Sequence, residues 1–291
     1  NLGQFSMANP ATSEALTMAF ADPGFNGTGL SVDLQNPTSL QFGPDDRLYV
    51  AQQNGLIRAL TVNRVNQTHY NITDVENITA IQDDIPNHDD DGTLNTNVQD
   101  RLITGILVTG TAENPVIYVP SSDPRIGGGG NSEDTGLDTN SGTLSKLQWD
   151  GSEWDHTLLM RGLPRSEENH HPNGMALDEA NDTLYIATGG NTNKGAPSNN
   201  FVYLPEYALS AAILSIDLNQ IEGMSTEQNA NGIPVKYDIP TLQGTEDPFG
   251  GQGGSNQATL TENGPIDVYA PGFRNAYDVV LTQDNQMYTV D

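Results

Sequence analysis

The stretch Gly-Met-Ala-Leu-Asp-Glu-Ala-Asn-Asp-Thr-Leu-Tyr-Ile-Ala-Thr-Gly-Gly at 174–190 decides the fold class. An apolar segment, a short polar turn and an aliphatic-Tyr-aliphatic segment follow one another, which predicts two short strands joined as a hairpin. The same arrangement occurs around Tyr49, Tyr118 and Tyr288. A third strand-like segment follows each of the first three pairs, at 56–62, 142–147 and 212–218. The chain therefore repeats one antiparallel unit.

Repeated units of this kind predict an all-β fold with sheets arranged around an axis, that is, a β-propeller. The separation is 69 residues from Tyr49 to Tyr118, 67 from there to Tyr185, and 103 from there to Tyr288. The last interval implies an insertion, which we place in the Gly- and Asn-rich region 219–263. A β-sandwich is the alternative, but its strands would recur every 8–12 residues or so without the longer period.

We expect residues 1–291 to form a single domain containing about three and a half blades of a propeller of the six-bladed type. A propeller needs closure to bury its inner strands and to remove its open edges. The sequence is therefore expected to be a fragment, or the ordered part of a longer polypeptide that continues beyond Asp291.

The net charge of −27 restricts the partners. Asp and Glu number 38 against 11 Lys and Arg, yet charged residues make up only 17% of the chain, below the usual ~25%. The imbalance thus reflects a scarcity of basic residues. Such a field repels nucleic acids and anionic membranes and attracts divalent cations. With no apolar run of about 18 residues, we expect neither nucleic-acid binding nor membrane insertion.

The absence of cysteine excludes disulfides and thiolate metal sites. Five Asn-X-Ser/Thr sequences are candidate N-glycosylation sites, at Asn26, Asn66, Asn71, Asn77 and Asn181. Three of them fall within 66–79, which indicates an exposed, sugar-shielded segment. We predict an acidic, secreted extracellular glycoprotein.

The repeat register brings scattered polar residues together. The first strand of each propeller sheet lines the central channel, so the residues just before these strands meet at one rim. The rim positions are Pro37-Thr38, Gln99-Asp100-Arg101, His170-His171 and Arg274-Asn275. Because the chain has so few basic residues, an arginine at this rim indicates a binding site.

An acidic loop offers a second candidate. Asn87, Asp89 and Asp91 place oxygen ligands at alternate positions, and Gly92 stands at the sixth, as in the first half of an EF-hand loop. The twelfth position is Val98 rather than Glu, and no helices flank the loop. A solvated acidic loop is the favoured interpretation, and a loose Ca²⁺ site is the alternative.

The residues at the rim resemble a known family. Residues 170–176, followed by 184–189, are similar to the catalytic-histidine strand of soluble quinoprotein glucose/sorbosone dehydrogenases. Residues 272–275 resemble that family's Arg-Asn motif, and 289–291 fall where its next strand runs into a calcium-binding loop. Residues 37–58 also resemble its first blade. The resemblance covers most of the chain and about half of a six-bladed propeller.

The resemblance implies a cofactor and a division of roles. In that family pyrroloquinoline quinone (PQQ) lies over the channel and Ca²⁺ holds it. His171 would be the base that takes the proton of the substrate hydroxyl, since a neutral imidazole suits this task. Arg274 would stabilise negative charge on the quinone, and Asn275 would hydrogen-bond the cofactor.

Three further cofactor-binding positions follow from the same resemblance. His170 lies beside the base, and Gln99 or Asp100 stands near the place of a cofactor-contacting glutamine, where the local pattern departs from the family. The family's calcium ligands are expected beyond Asp291.

The expected activity is oxidation of a sugar or polyol hydroxyl, with hydride passing to PQQ. Two alternatives stay open. The first is a non-catalytic extracellular propeller that acts as a binding or structural module, through self-association or a matrix partner. The second is a calcium-dependent lactonase-type hydrolase, for which Asp100 is the available carboxylate.

Overall fold

The computed structural model describes residues 32–67, 69–128, 134–228, 234–242 and 257–291. The candidate glycosylation site Asn26 lies outside these residues. The described chain is nearly all β, with several antiparallel sheets, as the sequence predicts, and it also contains two short helices that the sequence did not predict. Neither helix is long and apolar enough to cross a membrane.

The first two sheets are antiparallel meanders. The first contains β1 (Pro37–Phe42), β2 (Arg47–Gln52), β3 (Ile57–Arg64) and β4 (Tyr70–Ile78), paired in chain order, and α1 (Ala80–Asp84) follows it. The second contains β5 (Leu107–Gly110), β6 (Pro115–Ser121), β7 (Gly142–Trp149) and β8 (Trp154–Leu163). Every predicted strand of these two units is confirmed. The sequence did not predict the outer strands β4 and β8.

The third sheet repeats the plan around an insertion. It contains β9 (Pro172–Asp178), β10 (Thr183–Thr188), β11 (Ala212–Asp217) and, after the insertion, an outer strand. The insertion holds α2 (Leu218–Glu222), β12 (Glu227–Gln228), β13 (Pro234–Val235) and β14 (Tyr237–Asp238). The outer strand is β15 (Ile266–Pro271), and β16 (Asp278–Leu281) and β17 (Met287–Val290) form a further hairpin.

Successive sheets pack face to face through apolar side chains. Tyr49 and Ile57 of the first sheet share a buried cluster with Ile117 of the second. Tyr118 and Leu144 of the second sheet share another with Leu184 of the third. The first strands also meet in sequence, since β1 contacts β5, β5 contacts β9 and β9 contacts β16. The ends of these first strands are therefore neighbours.

The repeated tyrosines differ in their surroundings. Tyr49 is fully buried, and its hydroxyl donates to Asp45 Oδ2 at 2.8 Å and accepts from Arg47 Nη2 at 2.8 Å. Tyr118 is also buried, whereas Tyr288 on the last hairpin is 63% exposed. A buried tyrosine needs a partner for its hydroxyl, which explains the polar pair beside Tyr49.

The insertion adds a strand to the second sheet rather than to the third sheet, whose strands β11 and β15 flank it in sequence. β14 pairs in parallel with β8, with Tyr237 opposite Met160 and Asp238 opposite Arg161. Arg161 Nε donates to Asp238 Oδ1 at 2.8 Å, which adds an ion pair to the ladder. The added strand covers part of an edge that would otherwise present unpaired backbone groups.

Candidate functional site

Four polar residues near the first strands form one hydrogen-bonded cluster, here called the histidine network. Its members are Thr104 before β5, His171 before β9, Asn173 within β9, and Asn275 before β16. Thr104 Oγ1 lies 3.1 Å from His171 Nε2 and donates to Asn173 Oδ1 at 2.7 Å. Asn173 Nδ2 donates to Asn275 Oδ1 at 3.0 Å. The network thus joins three neighbouring first-strand ends.

His171 is the ionisable member of the network. Its side chain is buried, and Nδ1 has no hydrogen-bond partner among the described residues. Burial, with the positive charges of Arg165 and Arg101 nearby, holds the pKa of His171 well below its usual value. The imidazole is therefore neutral at pH 7.

His170 faces a different environment. Its Nδ1 lies 2.8 Å from the carbonyl oxygen of Gly190, and its ring stacks at a tilt on Phe201, with the centroids 5.0 Å apart. Burial lowers the pKa of His170 to about 4 despite the hydrogen bond to Gly190, and Arg274 lowers it further. The Nδ1–H donates to that carbonyl, because a carbonyl oxygen can only accept.

Arg274 lies at the protein surface, close to His170. Its guanidinium lies 5.9 Å from the centre of the Phe201 ring, and Nε donates to Asn193 Oδ1 at 3.0 Å. The side chain is exposed. Backbone N–H groups of Arg274 and Asn275 donate to the Asp291 carboxylate at 3.1 and 2.6 Å. The backbone of the Arg-Asn pair is thereby fixed, while the cationic head remains accessible.

A second polar cluster, the arginine layer, lies beside the histidine network. It consists of Arg101, Arg125 and Arg165 with Asp123. Arg165 is fully buried and donates to the carbonyl oxygens of Asp123, Ser166 and Arg125. Burial lowers the pKa of both Arg165 and Arg101 to about 10, and the Asp123 charge opposes that shift. Both remain cations at neutral pH.

Direct ion pairs complete the arginine layer. Arg125 Nη2 lies 2.9 Å from Asp123 Oδ2, and Arg125 Nη1 lies 2.6 Å from Asp89 Oδ1. Glu167 lies nearby and accepts hydrogen bonds from Thr135 N at 3.2 Å and Thr135 Oγ1 at 3.0 Å. Burial raises the pKa of Glu167 to about 7.

The structure brings four of the predicted site residues together and leaves two apart. His170, His171, Arg274 and Asn275 are joined by the contacts above. Gln99 and Asp100 are exposed and line a surface groove of about 540 Å³ beside α1. Their predicted contact with a cofactor stays a prediction. Thr104 is the residue before the second sheet that contacts His171.

The side chains of the acidic loop already have partners within the protein. Asn87 Oδ1 accepts from Arg101 Nη1 at 2.7 Å, Asp89 pairs with Arg125, and Asp91 Oδ1 accepts from the backbone of Thr93 at 2.9 Å. Asn87 and Asp90 are also buried, so the loop is packed against the protein and is less solvated than the favoured interpretation expects. The Ca²⁺ site remains a prediction.

Within the described ranges, one group of acidic residues has metal-ligand spacing. Asp150, Glu153 and Asp155 lie at the exposed turn between β7 and β8. The Asp150 carboxylate there accepts from Ser152 N, Ser152 Oγ and Glu153 N, as turn-forming aspartates do. This turn is remote in the topology from the first-strand ends.

Sequence reasoning missed Thr104, Asn173 and Asp291. A signal was present for two of them. Thr104 comes directly before the β5 segment, and Asn173 stands in the His-His-Pro-Asn-Gly run, so both occupy the same register position as the predicted rim residues. Asp291 has no comparable pattern, because its role depends on how β17 ends beside residues 274 and 275.

No family model matches the chain, and no curated protein matches it. Among solved structures, it is similar to the calcium structure of a Trichoderma reesei member of carbohydrate-active enzyme family AA12. The identity is 15%, covering 75% of this chain and 44% of that one, with a TM-score of 0.44. The iodide structure from the same AA12 family gives 15% identity, coverages of 85% and 61%, and a TM-score of 0.38.

A Thermus thermophilus protein assigned as an oxidoreductase (glucose dehydrogenase) is also similar, at 14% identity. It covers 88% of this chain and 90% of that one, with a TM-score of 0.31. The chain spans 44% and 61% of the lengths of the two Trichoderma structures. These are distant structural resemblances, and they establish neither a family nor an activity for this chain.

Proposed function

We propose that the protein is a PQQ-dependent dehydrogenase that oxidises a hydroxyl of a sugar or polyol. The observation that carries the proposal is the unpartnered Nδ1 of His171, buried in a network that leads through Asn275 to the exposed Arg274. A buried, neutral imidazole with a nitrogen lacking a partner is equipped to take up a proton.

The sheets belong, in this proposal, to a β-propeller of the six-bladed type. Three successive four-stranded meanders and a fourth hairpin support it. The meeting of β1 with β5, β5 with β9 and β9 with β16 also supports it, because a propeller gathers its first strands around one axis.

The residues present fit a quinone that carries carboxylates. The exposed Arg274 guanidinium uses Nε for Asn193, and its two terminal nitrogens make no hydrogen bond among the described residues, so they are available to an anionic group. Arg101 and Arg165 add positive potential at His171, in a protein of net charge −27. The fit does not extend to Ca²⁺, because the Asp/Glu/His cluster found in the described part of the chain lies at the β7–β8 turn.

Each residue then has a role. When bound, the ortho-quinone would accept a hydride from the substrate carbon. His171 receives the proton of the substrate hydroxyl on a ring nitrogen, which leaves a carbonyl product. Arg274 would bind the anionic cofactor, and Asn275 would hydrogen-bond it. The Phe201 ring contacts both the Arg274 and the His170 side chains.

Secretion and glycosylation form part of the proposal. Asn66, Asn71, Asn77 and Asn181 are all exposed, and the first three lie on β4 or the turn that leads into it. An exposed outer strand is a position where a glycan would meet no packed neighbour.

The test is reconstitution with PQQ. The purified protein is titrated with PQQ, with and without Ca²⁺, and binding is followed by tryptophan fluorescence quenching. Sugar-dependent reduction of a redox dye is then measured over a panel of aldoses and polyols. We expect saturable binding and turnover with at least one sugar. Absence of PQQ binding contradicts the proposal and leaves the non-catalytic module, whereas lactone hydrolysis without PQQ would favour the hydrolase.

A further inference from the structure

We propose that Thr104 and Asn173 are positioning residues that hold His171 as its Nε2–H tautomer, which makes Nδ1 the nitrogen that accepts a proton. The use of that nitrogen in sugar oxidation rests on the proposed function. The tautomer itself follows from the hydrogen bonds of the histidine network.

The argument begins at Asn173, whose amide orientation is fixed. Its side chain contacts the backbone carbonyl oxygen of Ala276 at 2.9 Å. A carbonyl oxygen can only accept, so the atom that faces it must be the NH₂ group. The same Nδ2 donates to Asn275 Oδ1. The remaining atom, Oδ1, therefore faces Thr104 and can only accept.

The orientation of Asn173 determines the direction of the Thr104 hydroxyl. A threonine hydroxyl has one proton to donate and can accept with its lone pairs. Thr104 Oγ1 donates that proton to Asn173 Oδ1 at 2.7 Å. Toward His171 Nε2, 3.1 Å away, the same oxygen can only accept. The proton in this contact consequently belongs to Nε2.

A neutral imidazole carries one N–H, so Nδ1 of His171 bears the lone pair. This atom is buried and has no donor among the described residues. A buried acceptor without a donor costs about 1–3 kcal/mol, and a catalytic role is one explanation for such a group. The lone pair of Nδ1 is therefore left free to accept a proton.

The electrostatics suit a transient proton acceptor. Protonation at Nδ1 would create an imidazolium beside Arg165 and Arg101, both of which are buried cations. The proton taken from a substrate hydroxyl would be retained weakly and released readily once the product leaves. The Nε2–H bond to Thr104 is unchanged in both protonation states, so the ring does not have to turn during the cycle.

The direct test is the tautomer itself. Long-range ¹H–¹⁵N correlation spectra of ¹⁵N-histidine-labelled protein distinguish the two neutral tautomers, and His171→Gln assigns the signal. We expect the Nε2–H form in the wild type and in Thr104→Ser, which keeps the hydroxyl. Thr104→Val, which removes it at nearly constant shape, should give a mixture of tautomers. A wild-type Nδ1–H form, or an unchanged Nε2–H form in Thr104→Val, overturns the proposal.

A kinetic measurement separates this inference from the proposed function. With PQQ bound, Thr104→Val should lower kcat about tenfold with little change in the sugar KM, and Thr104→Ser should restore it. Asn173→Leu, which cannot accept the Thr104 proton, should resemble Thr104→Val. If the spectra show Nε2–H but no sugar is oxidised, the proposed function fails and the tautomer assignment holds. If the enzyme oxidises sugar while His171 is in the Nδ1–H form, the tautomer assignment fails and the proposed function holds.

Discussion

The histidine network and the arginine layer are neighbouring polar clusters, yet they satisfy their hydrogen bonds in opposite ways. Arg165 is fully buried, and all three of its guanidinium nitrogens donate to carbonyl oxygens. His171 is equally buried and leaves Nδ1 without a partner. A buried network in which every polar group is hydrogen-bonded rigidifies a fold, whereas a buried polar atom without a hydrogen-bond partner costs stability. The comparison distinguishes residues that stabilise the fold from residues that keep a polar atom available for a ligand.

The largest expected effect concerns activity at the histidine network. His171→Gln should lower kcat/KM for the sugar by about 10²–10⁴-fold, the usual range for loss of a general base. The free energy of unfolding should change little, because the glutamine amide can donate to Thr104 in place of the imidazole Nε2–H and Nδ1 makes no bond to lose. Steady-state kinetics and urea unfolding measure the two quantities. His69→Gln, at an exposed position, is the control; full activity in His171→Gln would remove the histidine from the mechanism.

Next in size is a stability effect in the arginine layer. Arg165→Met should reduce the free energy of unfolding by about 3–5 kcal/mol, because it leaves three buried carbonyl oxygens unpaired and removes a cation from beside Asp123. Urea unfolding followed by circular dichroism is the measurement. Arg64→Met replaces an exposed arginine and should be nearly neutral. Equal urea midpoints for Arg165→Met and Arg64→Met would contradict the stabilising role of the arginine layer.

Arg274 provides a smaller effect that is confined to binding. Arg274→Met should weaken PQQ binding by about 10- to 100-fold, the equivalent of a hydrogen bond to a charged group. Stability should be nearly unchanged, because the side chain is exposed. The dissociation constant is obtained from the fluorescence titration, with Lys194→Met as the matched loss of a nearby exposed cation. Undiminished affinity in Arg274→Met would place the cofactor elsewhere.

The last expected effect is the pH dependence of stability, in which buried histidines and a buried glutamate oppose each other. The pKa values of His88 and His170 are lowered to about 4 and that of His171 is also lowered, so the unfolded chain binds more protons than the native one below pH 6.5 or so. Stability is therefore lost as pH falls, by up to about 1.4 kcal/mol per pH unit for each group.

Glu167 acts in the other direction. Its pKa is raised to about 7, so its contribution is lost as pH rises from about 4.5 toward 7. Three histidines against one glutamate predict a net gain of stability from about pH 5 to pH 6.5, and a steeper gain in Glu167→Gln. Urea midpoints at the two pH values provide the check. A flat profile in both proteins would mean that the histidines are not neutral in the folded state.

Much of the sheet architecture was predictable from local pattern. The hairpins around Tyr49, Tyr118 and Tyr185 have alternating apolar residues because each strand presents one face to a neighbouring sheet. The outer strand β4 was missed because its residues, Tyr-Asn-Ile-Thr-Asp-Val-Glu-Asn-Ile, are mostly exposed and polar. Such a strand is specified by the partner it pairs with and carries little pattern of its own.

The candidate site was predictable in outline. The repeat register placed His171, Arg274 and Asn275 at equivalent ends of successive units, and contacts join them in the structure. The repeat register does not indicate which side-chain nitrogen or oxygen lacks a hydrogen-bond partner. The roles of Thr104 and Asn173 therefore followed only from the hydrogen-bond geometry. Gln99 and Asp100 stand five and four residues before Thr104, in the loop before β5, and both are exposed there.

The parallel pairing of β14 with β8 has a consequence for the order of folding. The Arg161–Asp238 contact spans 77 residues, and the whole third meander up to β11 lies between the two strands. During synthesis the first sheet can complete itself from local segments, whereas the second gains its fifth strand only after Asp238 has emerged. Until then, the part of the β8 edge that β14 covers is open to other partners. The insertion is thereby linked to the completion of a sheet that precedes it in the chain by a whole meander.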